Sequence, residues 1–182
     1  MTAQIDDFFR YRKRKYAVAG ISEGELFDPA WLGLSPVGSC SACWRGYQAV
    51  FAISGSRLML DTLDVELREP DQGPPINGVQ PDGSCRAWFN NHYKRLNYPL
   101  QYTGGLLLAA GFIRDLYEHM GFHPAWKYEK VVELVFDDGI LIDESDRSEQ
   151  IAAIRQKGTT SEPMSDENGI VAFIERAFDR SY

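Results

Sequence analysis

Cysteines, histidines and clustered carboxylates are the residues of this chain whose types and spacing suit chemistry. Cys40-Ser41-Ala42-Cys43 is a C-x-x-C pair. Two thiolates at that spacing grip one side of a zinc ion, and Cys85, His92, His119 and His123 are the residues left to complete four ligands. The same spacing serves thiol redox chemistry where a strand leads into a helix, whereas here a strand follows the pair. Two small half-buried thiols before a strand are the plainer account of it. Cys85 closes the run Asp82-Gly83-Ser84-Cys85. A thiol at a helix start is activated by the helix dipole and by an imidazole, and His92 or His119 would supply the imidazole. Pro81-Asp82-Gly83 also reads as a turn with no chemistry. The third constellation is acidic: Asp137-Asp138, then Asp143, Glu144 and Asp146. It suits a basic partner surface, or a divalent cation, though it lacks the glycine and terminal glutamate of a calcium loop. No glycine-rich phosphate loop and no serine-hydrolase elbow occurs, and the chain is read as needing no cofactor.

The elements that must position these groups are mostly strands. From Tyr47, apolar Ala49, Phe51 and Ile53 alternate along one strand; Ser54-Gly55-Ser56 breaks it, and a return strand runs to Val65. Residues 131–136 form a second strand, Asp138-Gly139 is a favoured two-residue turn, and Ile140 begins the return. The two hairpins, at about 46–65 and 131–145, look alike, as an internal echo. Further strands are expected at 15–20 and 101–108, with an interrupted or edge strand at 26–34, where Pro29 and Gly33 intervene. Helices are expected at 85–96, at 112–120 from the spacing of Phe112, Leu116 and Met120, and at 149–156 behind Ser148. Residues 157–167 read as a mobile polar loop. Asn168 then caps a final helix whose Ile170, Phe173, Ile174 and Ala177 share a face suited to docking on the sheet or on a partner. Residues 69–75 hold three prolines and a glycine and exclude regular structure, but the loop is too short to divide the chain. The fold class is α+β: one domain over 1–182, mostly antiparallel, with a few flanking helices.

Composition narrows the function. The 182 residues are 44% apolar and 25% charged, which is ordinary for one globular domain. No apolar run approaches the roughly 18 residues of a membrane span, and the first residues lack the apolar core of a secretory signal. A cytoplasmic protein with reduced thiols is expected, consistent with three cysteines. The net charge is −7, and residues 128–182 alone hold 13 acids against 6 bases, so the rest is neutral. An acidic third repels nucleic acid and favours a basic protein partner. Arg10, Arg12, Lys13, Arg14 and Lys15, beside Phe8, Phe9, Tyr11 and Tyr16, form the one basic run, a footprint too small to make nucleic acid the expected partner. Trp31, Trp44, Trp88 and Trp126 stand at element boundaries, where large aromatics serve as core anchors or as binding faces.

Two resemblances follow from these residues. Asp82-Gly83-Ser84-Cys85 resembles the segment that opens the catalytic helix of ovarian-tumour-type cysteine proteases, which implies a deubiquitinase-like hydrolase using Cys85. The likeness ends at Arg86 and Ala87, where that family favours apolar and aromatic residues. Trp44-Arg45-Gly46-Tyr47, with Phe51-Ala52-Ile53 and Arg57-Leu58-Met59-Leu60, resembles uncharacterised small bacterial β-rich proteins with a W-R-G-Y strand and paired hairpins. Ala87-Trp88-Phe89, Thr103-Gly104-Gly105-Leu106 and His119-Met120-Gly121-Phe122 look like that group's later blocks, so the likeness spans about 15–145. By association it implies an immunity-like inhibitor of a bacterial toxin. The expectation is therefore a non-enzymatic protein-binding protein, engaging a basic partner through Asp137, Asp138, Asp143, Glu144 and Asp146. The alternatives are a cysteine hydrolase through Cys85 with His92 or His119, and a zinc-stabilised module through Cys40 and Cys43.

Overall fold

The computed structural model describes residues 2–38, 40–68, 72–84, 88–119 and 121–158. Eight strands follow one another along this chain: β1 (Phe8–Tyr11), β2 (Arg14–Ile21), β3 (Tyr47–Ser54), β4 (Arg57–Val65), β5 (Asn91–Pro99), β6 (Gly104–Phe112), β7 (Tyr128–Asp137) and β8 (Ile140–Asp146). One α-helix, α1 (Ser148–Gly158), follows them. The strands lie in the order β3-β1-β2-β6-β7-β8-β4-β5, and β3 also pairs with β4. Seven strands thus form a closed ring, to which β5 is added along the edge of β4. All pairings are antiparallel except β1 with β3.

The two hairpins read from the sequence are β3–β4 and β7–β8, and each carries a register shift one residue before a phenylalanine, at Val50/Phe51 and Val135/Phe136. Their turns meet. Arg57 pairs with Ile140, Leu58 N–H donates to Gly139 O (2.8 Å), and Leu141 N–H donates to Ser56 O (2.7 Å). This contact closes the ring. Gly139 has φ +74°, and a Cβ there would lie 2.0 Å from Leu100 O. No other residue fits without moving the backbone.

Alternation sorts the two sheet faces. Phe9, Tyr16, Ala49, Phe51, Leu58, Leu60, Leu106, Leu108, Val132, Leu134 and Phe136 fill the ring. Ala17, Leu107, Ala109, Val131 and Tyr128 point outward and are covered by Ile151 of α1 and by Ala125. Glu133 interrupts that outer face; it is buried, and Arg147, just before α1, reaches it through Nε (2.8 Å) and a terminal nitrogen (2.6 Å). A buried carboxylate is tolerable only with such a partner.

Three sequence expectations are corrected. Residues 26–34 form no strand: Asp28 accepts from Ala30 N–H, Pro29 opens a 3-10 turn over Pro29–Leu32, and Gly33 ends it in the left-handed region. Residues 91–96 belong to β5 rather than a helix, because the edge of β4 takes them as a pairing partner and Tyr93 and Leu96 fill the core. Residues 112–120 are not helical either. Phe112 pairs with Tyr128 at the end of β6, and only a 3-10 turn follows, at Arg114–Leu116. The helix behind Ser148 forms as read. The fold is therefore sheet-dominated, with fewer helices than expected among the described residues. The proposed helix at 168 and most of the loop at 157–167 lie outside those residues.

The closure predicts unequal costs for two turn glycines. Gly139→Ala should destabilise by about 3 kcal/mol or more, since backbone must move as well as adopt a strained φ. Gly55→Ala, at φ +63° but in open space, should cost about 1 kcal/mol. Urea unfolding measures both, and equal losses would show that the turn contact does not hold the ring.

Candidate interaction face around the W-R-G-Y turn

Trp44-Arg45-Gly46-Tyr47 leads into β3, and its geometry follows from two residues. Gly46, at φ +69°, lets the backbone of Val37 come so close that a Cβ would stand 2.1 Å from Val37 O. Arg45 donates to both carboxylate oxygens of Asp7 (2.8 and 3.1 Å) and to Ile5 O (3.3 Å). Burial works against its charge, but Asp7 more than offsets this and leaves the guanidinium above its ordinary pKa. Asp7 also accepts from Ala49 N–H (2.8 Å), so the ion pair is tied to the start of β3.

The guanidinium lies between two rings, 4.5 Å from the centroid of Tyr47 and 5.0 Å from that of Phe122. Tyr47 meets Phe27 edge-on at 6.0 Å, and Phe27 meets Trp31 edge-on at 6.2 Å. Beyond Phe122 its neighbour His123 packs in tilted contact with Phe112 (4.7 Å) and Tyr117 (5.3 Å). Arg45 thus touches the end of the Tyr47–Phe27–Trp31 group and Phe122, the sequence neighbour of the His123–Phe112–Tyr117 group. Large apolar area is left in water along it: Trp31 is 54% exposed, Phe122 48%, Tyr117 47%, and Trp44, next to Arg45, 63%.

The N-terminal segment holds this face together. Gln4 N–H donates to Gly121 O (2.8 Å) and Ile5 N–H to Ala42 O (2.9 Å), so residues 3–5 lie between the Cys40–Cys43 turn and the loop that carries Phe122. The Gln4 side chain accepts from Trp44 N–H (3.1 Å) and donates to Ser41 O (2.9 Å). Asp6 is half-buried in the same segment, and Tyr128 donates to it at 3.3 Å. Burial first, and then the charge of Asp7, push the Asp6 carboxyl up to about 6, against the opposing Tyr128 hydrogen bond and Arg45 charge. His123 is 8% exposed, and its Nδ1 has no hydrogen-bond partner. Burial and the charge of Lys127 lower its pKa, while Glu118 opposes them.

The sequence-read candidates fall elsewhere or alter in character. Cys40 and Cys43 face each other across a tight turn, where Cys43 Sγ donates to Tyr47 O (3.5 Å). Among the described residues no group of three or more histidine, cysteine, aspartate or glutamate side chains is placed to hold a metal. Cys85 lies outside the described residues. His92 is buried with Nδ1 on Asp64 (2.7 Å) and Nε2 on Phe89 O (3.1 Å), so both ring nitrogens are engaged. His119 is exposed and packs edge-on against Tyr117 at 4.8 Å.

The acids do not form one surface. Asp137 and Asp138 sit at the β7–β8 turn, with Asp138 N–H on Thr103 Oγ1 (2.9 Å). Cross-strand pairs point the same way, so Asp143 faces outward with Val135, whereas Glu144 and Asp146 take the side of Leu134 and Val132. Glu144 accepts from Tyr11 Oη (2.5 Å) and Arg12 (2.8 Å), and Asp146 accepts from Ser148 N–H (2.9 Å) and pairs with Lys130 (3.8 Å). The Ser148 hydrogen bonds hold the Asp146 carboxyl below its usual range.

Compared with known protein families, curated proteins and solved structures, the chain matches none of them. Among the described residues no helix is long and apolar enough to cross a membrane.

Asp6 gives a pH test of the N-terminal segment. Its folded pKa lies above the 3.8 of a free carboxyl, so the folded state binds the proton more tightly and stability falls as pH rises from about 4 to about 6. Asp6→Asn should therefore stabilise at pH 7.5 by on the order of 2 kcal/mol, with the gain shrinking toward zero near pH 4. Denaturation midpoints of both proteins across this range test it; a gain independent of pH would remove the half-buried carboxylate as its source.

Proposed function

We propose that this chain is a non-enzymatic protein-binding protein whose contact surface is the aromatic face built around Arg45. The observation that carries the reading is the exposure of Trp31, Trp44, Phe122 and Tyr117, with Arg45 held over both Tyr47 and Phe122. Tryptophan, tyrosine and arginine dominate the energetics of protein interfaces, because they bury much area for few rotatable bonds. Arg45 is held by Asp7 before any partner arrives, which lowers the ordering cost of using it.

The acidic C-terminal third has a separate part in this reading. Asp137, Asp138 and Asp143 lie exposed at the β7–β8 turn and on β8, and with the net charge of −7 they would steer a basic partner toward the protein. Glu144 and Asp146 contribute to that field but are engaged within the chain. An immunity-like inhibitor of a basic bacterial toxin in the cytoplasm is one form such a protein takes, and the W-R-G-Y resemblance is its support.

Immobilised wild-type protein should retain a partner from host lysate in stoichiometric amount, with an association rate that falls as salt is raised. Trp44→Ala and Phe122→Ala should each weaken capture by about 30-fold, the scale of an interface hot spot, with unfolding midpoints near wild type. Capture that both variants leave unchanged would move the contact surface away from this face.

A further inference from the structure

We propose that Cys40 and Cys43 are a thiol-oxidation site, where the folded protein closes an intramolecular disulfide with a low-molecular-weight disulfide, such as oxidised glutathione, as the oxidant. The two residues are antiparallel bridge partners across Ser41-Ala42, and Cys43 N–H donates to Cys40 O (3.0 Å). Directly opposed residues of an antiparallel pair have Cα atoms about 4.5 to 5.5 Å apart and side chains on the same side. A disulfide needs a Cα separation of about 4.4 to 6.8 Å. The backbone is therefore already set for the bond, which leaves only side-chain rotation to bring the sulfurs together. Both thiols are free. The pair lies in a turn rather than at a helix start, which suits a bond made and broken on this protein rather than an oxidoreductase acting on others.

The two thiols differ in access, and the difference assigns their order of reaction. Cys40 is half-buried and Cys43 is 2% exposed, so an external disulfide reaches Cys40 first. The Cys40 thiolate attacks one sulfur of oxidised glutathione, forms a mixed disulfide and expels one glutathione thiolate. The Cys43 thiolate then attacks Cys40 Sγ and expels the second. Two protein thiols are oxidised to one disulfide, one glutathione disulfide is reduced to two thiols, and the protons pass through solvent from the former to the latter. The hydrogen bond from Cys43 Sγ to Tyr47 O (3.5 Å) is given up in the exchange. The bond locks the turn that supports the N-terminal segment: Ser41 O accepts from the Gln4 side chain (2.9 Å) and Ala42 O from Ile5 N–H (2.9 Å).

Reduced full-length protein, equilibrated at neutral pH with glutathione mixtures of rising oxidised fraction, then acid-quenched, alkylated and mapped by peptide mass, tests the site. Wild type should give a Cys40–Cys43 bridge and retain no glutathione. Urea-unfolded chain in the same mixtures should favour the bridge at least about tenfold less, because it lacks the preset turn. Cys43→Ser should stop at a glutathione adduct on Cys40. Cys40→Ser should take up glutathione on Cys43 at least about tenfold more slowly than Cys43→Ser does on Cys40. Thiols that stay reduced, a glutathione adduct that persists in the wild type, a bridge to Cys85 instead, or equal bridging in folded and unfolded chain would each overturn the proposal. Hydrogen exchange of peptides covering residues 2–6 should be slower in the bridged protein than in the reduced one. Unchanged or faster exchange there would refute the locking of the segment and leave the oxidation site standing.

Discussion

Two hairpin turns touching each other hold this fold in its closed form. Strand pairing supplies a curved sheet from β3 round to β8, but a sheet with two free edges leaves one row of backbone groups on each unsatisfied. Here the β3–β4 turn and the β7–β8 turn exchange backbone hydrogen bonds around Arg57 and Ile140, and the edges vanish at that end. The contact is possible because Gly139 leaves room for Leu100 O. Once the ring is closed, Phe9, Phe51, Leu60, Leu106, Leu134 and Phe136 share one interior, and burial of that interior is the main force stabilising the fold.

The charge distribution takes on a different meaning inside this architecture. The basic run at the tip of the β1–β2 hairpin does not stand apart as an arm. Arg10 pairs with Asp61 on β4, Arg12 pairs with Glu144 on β8, and Lys15 lies over the Phe8 ring. Part of the acidic third is thereby matched within the chain. Exposed ion pairs of this sort add little stability, but they withdraw Glu144 from the charge available to a partner. The aromatic face, by contrast, leaves Trp31, Trp44, Tyr117 and Phe122 in water while Arg45 is paired with Asp7.

Much of the fold was legible because its signals are local. Both hairpins announce themselves by alternation and by Ser54-Gly55-Ser56 and Asp138-Gly139, and α1 by its serine and its apolar spacing. The misreadings share a cause. Residues 91–96 and 112–120 carry patterns a helix tolerates, and it was the need of β4 and β7 for pairing partners that extended β5 and β6 through Asn91, Tyr93 and Phe112. Propensity is a weak prior where a neighbouring edge offers hydrogen bonds. The candidate face was half visible: Trp31 and Trp44 stood at boundaries, but their exposure is a property of packing.

By itself, then, the sequence determined a single sheet-rich chain with two like hairpins, a helix behind Ser148, an acidic final third, and aromatic residues concentrated at turns. These follow from residue periodicity, turn chemistry and charge, which act over a few neighbours. The tertiary structure decided that the sheet closes, that His92 is tied to Asp64 and Phe89, that the acids divide between two sides of β8, and that Arg45 joins Tyr47 to Phe122. Most of those contacts join residues on different strands or loops, and strand pairing and packing, not the local sequence, bring them within reach of one another.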